Sequence, residues 1–153
     1  MASSFITKDN IHGFWVNDSL MQVVCWGLVN VIDRTPSNDK NYWLNNEHRE
    51  HIYDNSQGIF IGFMNLRLDE FLINLERTNL FKEIILEAKQ YFLDKGEYIS
   101  AKDLNDFQLI GETKREWLSP LETKRIIKIL SYLDDVVSDK IIIKDSDEIN
   151  YEF

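Results

Sequence analysis

A run of histidines and glutamates, residues 47–51 (EHREH), is where this sequence comes closest to a metal site. Histidines and carboxylates one helical turn apart can ligate zinc. A zinc-protease helix places its histidines four residues apart with glutamate after the first, whereas here they are three apart and glutamate precedes the second. Only one further histidine, His12, is present to complete a coordination shell. We therefore interpret the run as a polar helix face in which one histidine packs on Trp43 or Tyr53.

Nucleophilic and phosphate chemistry find little support in the residue pattern. Cys25 is the single cysteine and lies between Val24 and Trp26; apolar surroundings raise a thiol pKa, whereas a nucleophile needs a lowered one. We predict that Cys25 packs in the core. No Gly-x-Ser-x-Gly elbow occurs, and no Lys-Ser/Thr follows Gly58 and Gly62 as it would in a phosphate-binding loop.

Carboxylates are concentrated towards the C-terminus. Residues 131–153 contain seven acidic side chains and two lysines, which is a net −5 out of −9 for the whole chain. Neighbouring helical residues point about 100° apart, so Asp134 and Asp135 cannot form a fixed catalytic dyad. Residues 145–148 lack the glycine turn and terminal glutamate of a calcium loop. Solvated surface and an interaction face are the two interpretations left open.

The composition predicts one folded domain spanning residues 1–153. The chain is 44% hydrophobic and 12% aromatic with only two prolines and six glycines, which excludes disordered and low-complexity classes. A net charge of −9 argues against nucleic acid and anionic membranes as ligands and favours a basic protein partner. We predict core positions for all four tryptophans, Trp15, Trp26, Trp43 and Trp117.

The residue pattern predicts a cytoplasmic protein. A single cysteine allows no internal disulfide, and the first ten residues (MASSFITKDN) lack the basic and apolar regions of a signal peptide. No apolar run approaches the ~20 residues that span a bilayer. The oligomeric state is left open.

Apolar periodicity predicts a mainly α-helical single domain, a bundle of five or six helices. The first helix has apolar residues recurring at three, four and seven positions over residues 20–31, with Asn17 as a candidate cap. A turn-rich loop at residues 33–40 leads to a half-exposed second helix over residues 41–57. Gly58 is placed to end that helix in a left-handed conformation.

The helical pattern returns in the second half of the chain. It covers residues 68–75, breaks at residues 77–79 and resumes over residues 80–92. A weak capping pattern predicts a short helix over residues 100–107. The strongest start signal is residues 119–122 (SPLE), in which serine caps, proline occupies the first turn and glutamate reaches back. An apolar stripe of about five turns follows it.

Strand signals are short. Residues 58–66 (GIFIGFMNL) do not distinguish a strand from a buried connector, and residues 140–144 (KIIIK) are β-branched enough for one strand. We expect at most one short hairpin or strand pair, formed by residues 59–63 and 140–143. The acidic segment 144–153 is predicted to be mobile except for its aromatic end.

Two stretches resemble a known group of proteins. Residues 13–29 (GFWVNDSLMQVVCWGLV) and 116–141 (EWLSPLETKRIIKILSYLDDVVSDKI) are similar to immunity proteins of bacterial contact-dependent growth inhibition and related polymorphic toxin systems. The resemblance covers the two ends of the chain and leaves the middle unmatched. It implies a cytoplasmic inhibitor, without cofactor or turnover, that binds the C-terminal domain of a cognate toxin, often a basic nuclease, and blocks its active site or substrate surface.

Charge clustering, rather than the resemblance, suggests where such a partner binds. A nuclease presents lysines and arginines to phosphates, so a carboxylate surface can imitate its substrate and accelerate association. Exposed aromatic side chains would anchor the contact, and Phe153 is a further candidate beside those in the set. The predicted partner-binding residues are Asp134, Asp135, Asp139, Asp145, Asp147, Glu148, Tyr132 and Tyr151.

Two other functions stay open at this point. The first is an acidic adaptor or regulatory protein for another basic partner. The second is a metal-dependent hydrolase that uses Glu47, His48 and His51. The basic pairs at residues 114–115 and 124–125 are interpreted as parts of a solvated helical face with ion pairs, with Arg125 turned inward by its stem.

Overall fold

The computed structural model describes residues 2–140 and the backbone of residues 143–144. Its helices are α1 (Asp18–Arg34), α2 (Arg49–Ser56), α3 (Leu68–Phe71), α4 (Leu75–Leu93), α5 (Ala101–Asp106) and α6 (Thr123–Val137), and a π-helical turn, Leu44–His48, leads directly into α2. Its strands are β1 (Ser3–Thr7), β2 (Gly13–Asn17), β3 (Tyr98–Ile99), β4 (Leu121–Glu122) and β5 (Ile143–Lys144). The prediction of a mainly α-helical domain with a short hairpin is confirmed.

Helix α1 forms the centre of the core. Its N-terminus is capped by the Asn17 side chain, which accepts a hydrogen bond from the backbone N–H of Ser19 at 2.9 Å. Twelve of its 17 residues are buried, because α2, α4 and α6 all pack around it. Cys25 is fully buried among them, as predicted. The predicted first helix is confirmed together with its cap.

A three-stranded sheet covers one side of this core. β1 and β2 form an antiparallel hairpin, and β5 joins the other edge of β2 in parallel. Phe14 and Val16 are fully buried while Trp15, between them, is 41% exposed, which is the alternation of a half-buried strand. The predicted core position of Trp15 is therefore wrong. The prediction of one short hairpin did not place it at residues 3–17.

The strand expected at residues 59–63 does not form. These residues make consecutive turns, and Gly58 and Gly62 adopt left-handed φ values of 79° and 90°. Such values interrupt an extended backbone. Of the partner strand predicted at residues 140–143, Ile143 pairs with β2 and Lys140 is not in a strand, while residues 141–142 lie outside the described part of the chain.

The last helix begins later than its capping pattern predicts. Leu121 and Glu122 pair with Ile99 and Tyr98 as strand β4, and α6 starts at Thr123. The backbone N–H of Thr123 donates to the carbonyl of Glu97 at 2.9 Å, so the chain enters the helix from a strand rather than from a serine cap. The predicted start at residues 119–122 is wrong because tertiary strand pairing outweighs the local capping signal. The predicted apolar stripe is confirmed, since its residues from Ile126 to Val137 are buried.

The break before the long helix is also displaced. The chain leaves α3 at Leu72 and re-enters a helix at Leu75, rather than breaking at residues 77–79. Asn74 explains the position, because its side chain accepts a hydrogen bond from the backbone N–H of Arg77 at 2.9 Å. The short helix capped by Ser100 is confirmed.

The longest helix, α4, has 19 residues and charged side chains such as Glu83 and Lys89 along it. Crossing a bilayer takes about 20 predominantly apolar residues. Within the described part of the chain, no helix combines the length and the apolar character that this requires.

Candidate functional site

The two histidines of the EHREH run hold a neighbouring segment in place. The Nε2–H of His48 donates to the backbone carbonyl of Leu66 at 2.8 Å, and a ring nitrogen of His51 bonds to the carbonyl of Asn65. The His48 ring lies 4.3 Å from the Phe71 ring and 5.7 Å from the Trp43 ring, centroid to centroid. The predicted packing of one histidine on Trp43 is therefore confirmed.

These contacts leave the histidines poorly suited to binding a cation. Burial lowers the pKa of His48 to about 4, although its hydrogen bond to Leu66 opposes the shift. Partial burial also lowers the pKa of His51. Across residues 2–140, no three His, Cys, Asp or Glu side chains lie close enough together to hold a metal ion. The metal-dependent alternative gains no support from the residues that the structure describes.

The single thiol is equally unsuited to catalysis. Cys25 has no exposed surface, and its burial raises the thiol pKa well above the ordinary value. The protonated thiol is a weak nucleophile. Cys25 is a core residue.

The described part of the predicted acidic face carries lysines between its carboxylates. Asp135 lies 3.5 Å from the Nζ of Lys140, and Asp139 lies 3.4 Å from the Nζ of Lys8. Asp134 faces the other way and shares a groove between α4 and α6 with lysines of α4, so the two adjacent aspartates diverge as predicted. Exposed ion pairs of this kind contribute little stability, and they leave the local charge close to balance.

The other predicted partner-binding residues divide into two groups. Tyr132 is half-buried rather than exposed, because its ring packs 5.7 Å from the ring of Phe14. Its predicted role as an exposed anchor therefore applies to only a small part of the side chain. The remaining members of the set, Asp145, Asp147, Glu148 and Tyr151, lie outside the described residues.

The hairpin turn extends the acidic face beyond the prediction. Asp9 accepts hydrogen bonds from the backbone N–H groups of Ile11 and His12 at 2.8 and 2.7 Å, which together with the His12 side chain lower the pKa of Asp9 well below its usual range. It shares a small cavity with Asp139. Ile11 is 68% exposed at the same turn, so an apolar side chain lies beside these two carboxylates and beside Lys8 and Lys140, which line the same cavity.

A second feature, which we call the α1 cleft, lies at the N-terminus of α1. It has a volume of about 350 Å³. Arg115 and Arg125 bring two guanidinium groups to it, and Leu20 and Leu121 provide an apolar floor. An Nη1–H of Arg115 donates to the Ser19 hydroxyl. The full lining is Asn17, Ser19, Leu20, Arg115, Glu116, Trp117, Leu121 and Arg125.

Amide side chains of the α5 region fix the loop that brings Arg115 and Trp117 to this cleft. Gln108 accepts from the backbone N–H of Arg115 at 2.6 Å and donates to its carbonyl at 2.8 Å. Asn105 makes the same pair of bonds to Trp117, at 2.7 and 3.0 Å. Each amide thus replaces a strand partner, so the irregular segment is held in a defined conformation without regular secondary structure.

Asp18 ties three segments together behind the cleft. Its buried carboxylate accepts from the Ser4 hydroxyl at 2.7 Å and from the backbone N–H of Gly62. The Ser4 hydroxyl in turn accepts from the backbone N–H of Met64 at 2.9 Å. A carboxylate in the first turn of a helix is stabilised by the helix dipole, so Asp18 can remain buried while it connects β1, α1 and the loop after α2.

Gln57 fixes the beginning of the cleft loop, and its replacement by leucine is expected to destabilise the protein by about 3 kcal/mol. The buried amide of Gln57 accepts from Leu109 N–H at 2.7 Å and donates to the carbonyl of Phe107 at 3.0 Å. Leucine keeps most of the volume but leaves both backbone groups without these partners, at roughly 1–3 kcal/mol each. Urea unfolding measures the loss. Gln90→Leu, at an exposed site, is the control, and equal stability of the two variants would contradict this role.

The sequence pattern does not indicate that Arg115 and Arg125 line the same cleft. The pairs Lys114-Arg115 and Lys124-Arg125 were the available signal, and they were interpreted as a solvated face with ion pairs. Part of that interpretation is confirmed, because Glu122 contacts Lys124 at 3.0 Å and Arg125 at 3.5 Å. What the pattern could not indicate is that two segments ten residues apart line one cleft with the start of α1.

Comparisons of this chain with protein-family models, with curated proteins and with solved structures find no match in any of the three. The fold and its surfaces define a single-domain, mainly α-helical protein whose core helix is capped by a small mixed sheet. The resemblance to immunity proteins stays a prediction. The function must therefore be argued from the acidic face and from the α1 cleft.

Proposed function

We propose that this protein is an immunity protein that binds and neutralises a cognate toxin domain without catalysis, and that the toxin domain is basic and of the nuclease type. The observation that carries the proposal is the concentration of carboxylates in residues 131–153, which hold five of the nine net negative charges. The protein would act in the cytoplasm, without cofactor. The acidic adaptor remains the second candidate.

Electrostatics supports a basic partner over a neutral one. A surface with excess carboxylates raises the rate of encounter with a cationic protein, to ~10⁸ M⁻¹s⁻¹ or more at low salt. A nuclease must keep its phosphate-binding cations exposed, so an inhibitor that imitates phosphate engages the groups that the enzyme cannot lose. Inhibition would then follow from occupancy of the substrate surface.

The described surface offers one apolar contact beside the acids. Ile11 is 68% exposed on the hairpin turn, next to Asp9, and Asp9 shares a small cavity with Asp139. Charged rims alone seldom give tight binding, and a central apolar side chain excludes water from the surrounding ion pairs. Ile11 therefore complements Tyr151 as a candidate anchor.

Co-expression with a candidate toxin domain, sought first among the neighbouring genes, tests the proposed function. Growth should be restored when this chain is present and should fail when it is absent. Co-purification of the 18.1 kDa chain with a basic nuclease would give the same answer biochemically. Equal killing with and without the chain would overturn the inhibitor proposal.

The proposed face has its own test. Replacing Asp145, Asp147 and Glu148 by serine should slow association with the toxin domain by about 10-fold or more at low salt and flatten its salt dependence. The matched control removes the same charge from exposed positions on α4, as Glu76→Ser, Glu83→Ser and Glu87→Ser. Stopped-flow association measures both variants. If they slow association equally, net charge rather than this face controls binding.

A further inference from the structure

The α1 cleft combines a buried apolar floor with a half-buried cation. Leu20 and Leu121 are buried in its floor, and Trp117 packs beside them against the core. Arg115, which is half-buried, brings its guanidinium group to the same cleft. Natural small-molecule sites are concave and mostly apolar, with a few placed polar groups. At about 350 Å³, the cleft has both the size and the lining of such a site.

Arg115 has no carboxylate partner among the residues that the structure describes. Its guanidinium group donates one hydrogen bond, from Nη1 to the Ser19 hydroxyl. Its backbone is fixed separately, since its N–H and its carbonyl both bond to the Gln108 amide. A guanidinium group has five N–H donors, so most of them meet no acceptor within the described part of the chain. A partly buried charge without a counter-charge is unfavourable, and an anion in the cleft would relieve that cost.

The position of this guanidinium group adds to the cost. Ser19 lies in the first turn of α1, where the helix dipole disfavours a cation and favours an anion. Asp18, in the same turn, directs its carboxylate to the Ser4 hydroxyl and to the N–H of Gly62. Asp18 is therefore committed elsewhere. An anion bound to Arg115 would be stabilised by the arginine and by the helix together.

The other charges of the cleft select the kind of anion. Arg125 lies 3.5 Å from Glu122, so we assign recognition of the anion to Arg115. Glu116 is exposed and also lines the cleft, and its carboxylate would repel a second negative charge on a ligand. A carboxylate carries a single charge, and the planar fork of arginine matches its two oxygens. A monocarboxylate therefore fits the cleft better than a phosphate dianion does.

We propose that the α1 cleft binds a small monocarboxylate that carries an apolar or aromatic group. The carboxylate would bind Arg115, and the apolar group would cover Trp117 and the leucine floor. The site is independent of the inhibitor function and uses a surface other than the acidic face. A bound ligand would also stabilise the folded protein by mass action.

Titration of the isotope-labelled full-length chain with 3-phenylpropanoate tests the site. The amides of Ser19 and Leu20 and the indole N–H of Trp117 should shift together, with a dissociation constant of ~1–10 mM for so small a ligand. Acetate lacks the apolar group, 3-phenylpropanamide lacks the charge, and phenyl phosphate carries two charges, so each should bind about 10-fold more weakly or worse. Absence of shifts at these three positions, or equal binding of the amide or the phosphate, would overturn the proposal.

Variants of adjacent residues identify the group that binds the carboxylate. Arg115→Gln should weaken binding of 3-phenylpropanoate by about 10-fold or more. Arg115→Lys keeps the charge without the planar fork, so it should weaken binding as well, and it replaces the glutamine variant if that variant does not fold. Lys114→Gln removes an exposed cation from the same loop and should leave binding unchanged. Equal weakening by Lys114→Gln would mean that net charge controls binding and would overturn the assigned site. The amide spectrum of each variant reports whether it is folded.

A C-terminal phenylalanine presents the same two groups as the free acid, so a second titration identifies the source of the ligand. N-acetyl-Ala-Ala-Phe with a free carboxylate is compared with its C-terminal amide. If the free peptide binds more tightly than 3-phenylpropanoate by about 10-fold or more, the site takes the end of a polypeptide. If it binds equally or more weakly, the site takes a small acid. Equal binding of the peptide and its amide would contradict recognition of the carboxylate.

Discussion

Gly27→Ala is expected to lower the free energy of unfolding by about 2 kcal/mol or more. A Cβ at this position would lie 2.2 Å from Cε2 and 2.4 Å from Cζ of the Phe92 ring. Alanine gains about 1 kcal/mol over glycine in helix propensity, but overpacking a core costs about 1–3 kcal/mol and occasionally more. Phe92 is fully buried and bordered by Trp26 and Tyr91, so the ring has little room to move and the steric cost should prevail.

Two variants separate the clash at Gly27 from a general effect of alanine. Gly111→Ala places its Cβ where no atom lies within 4 Å, so it should be neutral or slightly stabilising. Combining Gly27→Ala with Phe92→Leu should cost less than the sum of the single changes, because the smaller side chain relieves the contact. Thermal or urea unfolding of the wild type, the three single variants and the double variant measures these effects. Strict additivity would contradict the proposed clash.

Stability is expected to fall as the pH drops from about 6.5 to about 4, and His48 should account for on the order of 3 kcal/mol of that fall. The folded-state pKa of His48 is about 4 against an ordinary 6.5. Within this window the unfolded chain binds a proton that the folded protein excludes, so acid favours unfolding. Above the window both states are neutral, and below it both are protonated. The penalty is therefore absent at neutral pH and complete below about pH 4.

His48→Gln isolates this contribution from the titration of the carboxylates. The variant loses ring packing against Phe71 and Trp43, so it should be less stable at pH 7. Its disadvantage should shrink steadily as the pH falls, because glutamine does not titrate. Urea unfolding at pH 7, 5.5 and 4.5 measures the difference between the two proteins. A gap that stays constant over this range would contradict the assigned pKa.

The helices were predictable where burial and periodicity agree. In α1 and α6 the apolar residues recur on one side of a long helix. This spacing can be recognised in the sequence without knowing which segments pack against the helix. The capping residues Asn17 and Ser100 act within two or three residues of themselves, so they too were readable. These features are local, and local interactions are encoded in short stretches of sequence.

The start of α6 and the hairpin depended on distant partners. Leu121 and Glu122 leave a favourable capping pattern because Ile99 and Tyr98 are available to pair with them. Phe14, Trp15 and Val16 are all apolar, so the sequence does not indicate which of them face the core. Strand pairing is a long-range contact, and its energy outweighs a cap contribution of about 1 kcal/mol.

The same distinction between local and long-range information applies to the candidate surfaces. The acidic end of the chain could be recognised by counting charges, and so could the lack of known motifs around His48 and Cys25. The α1 cleft could not, because it joins Arg115, held by the amide of Gln108, to Arg125 on a different element. The positions of the two arginines in the sequence do not indicate that they lie close together in the fold.

The amino-acid sequence by itself determined the mainly helical class, the central buried helix and the acidic C-terminal charge, since composition and periodicity are properties of the chain alone. The tertiary structure decided which polar side chains form internal hydrogen bonds. Asp18 and Gln57 bind backbone amides, and the His48 ring binds a backbone carbonyl. It also decided which cations meet at the start of α1. The physical reason is that burial and hydrogen bonding between distant segments set the charge and availability of each side chain, and these exist only once the segments are packed together.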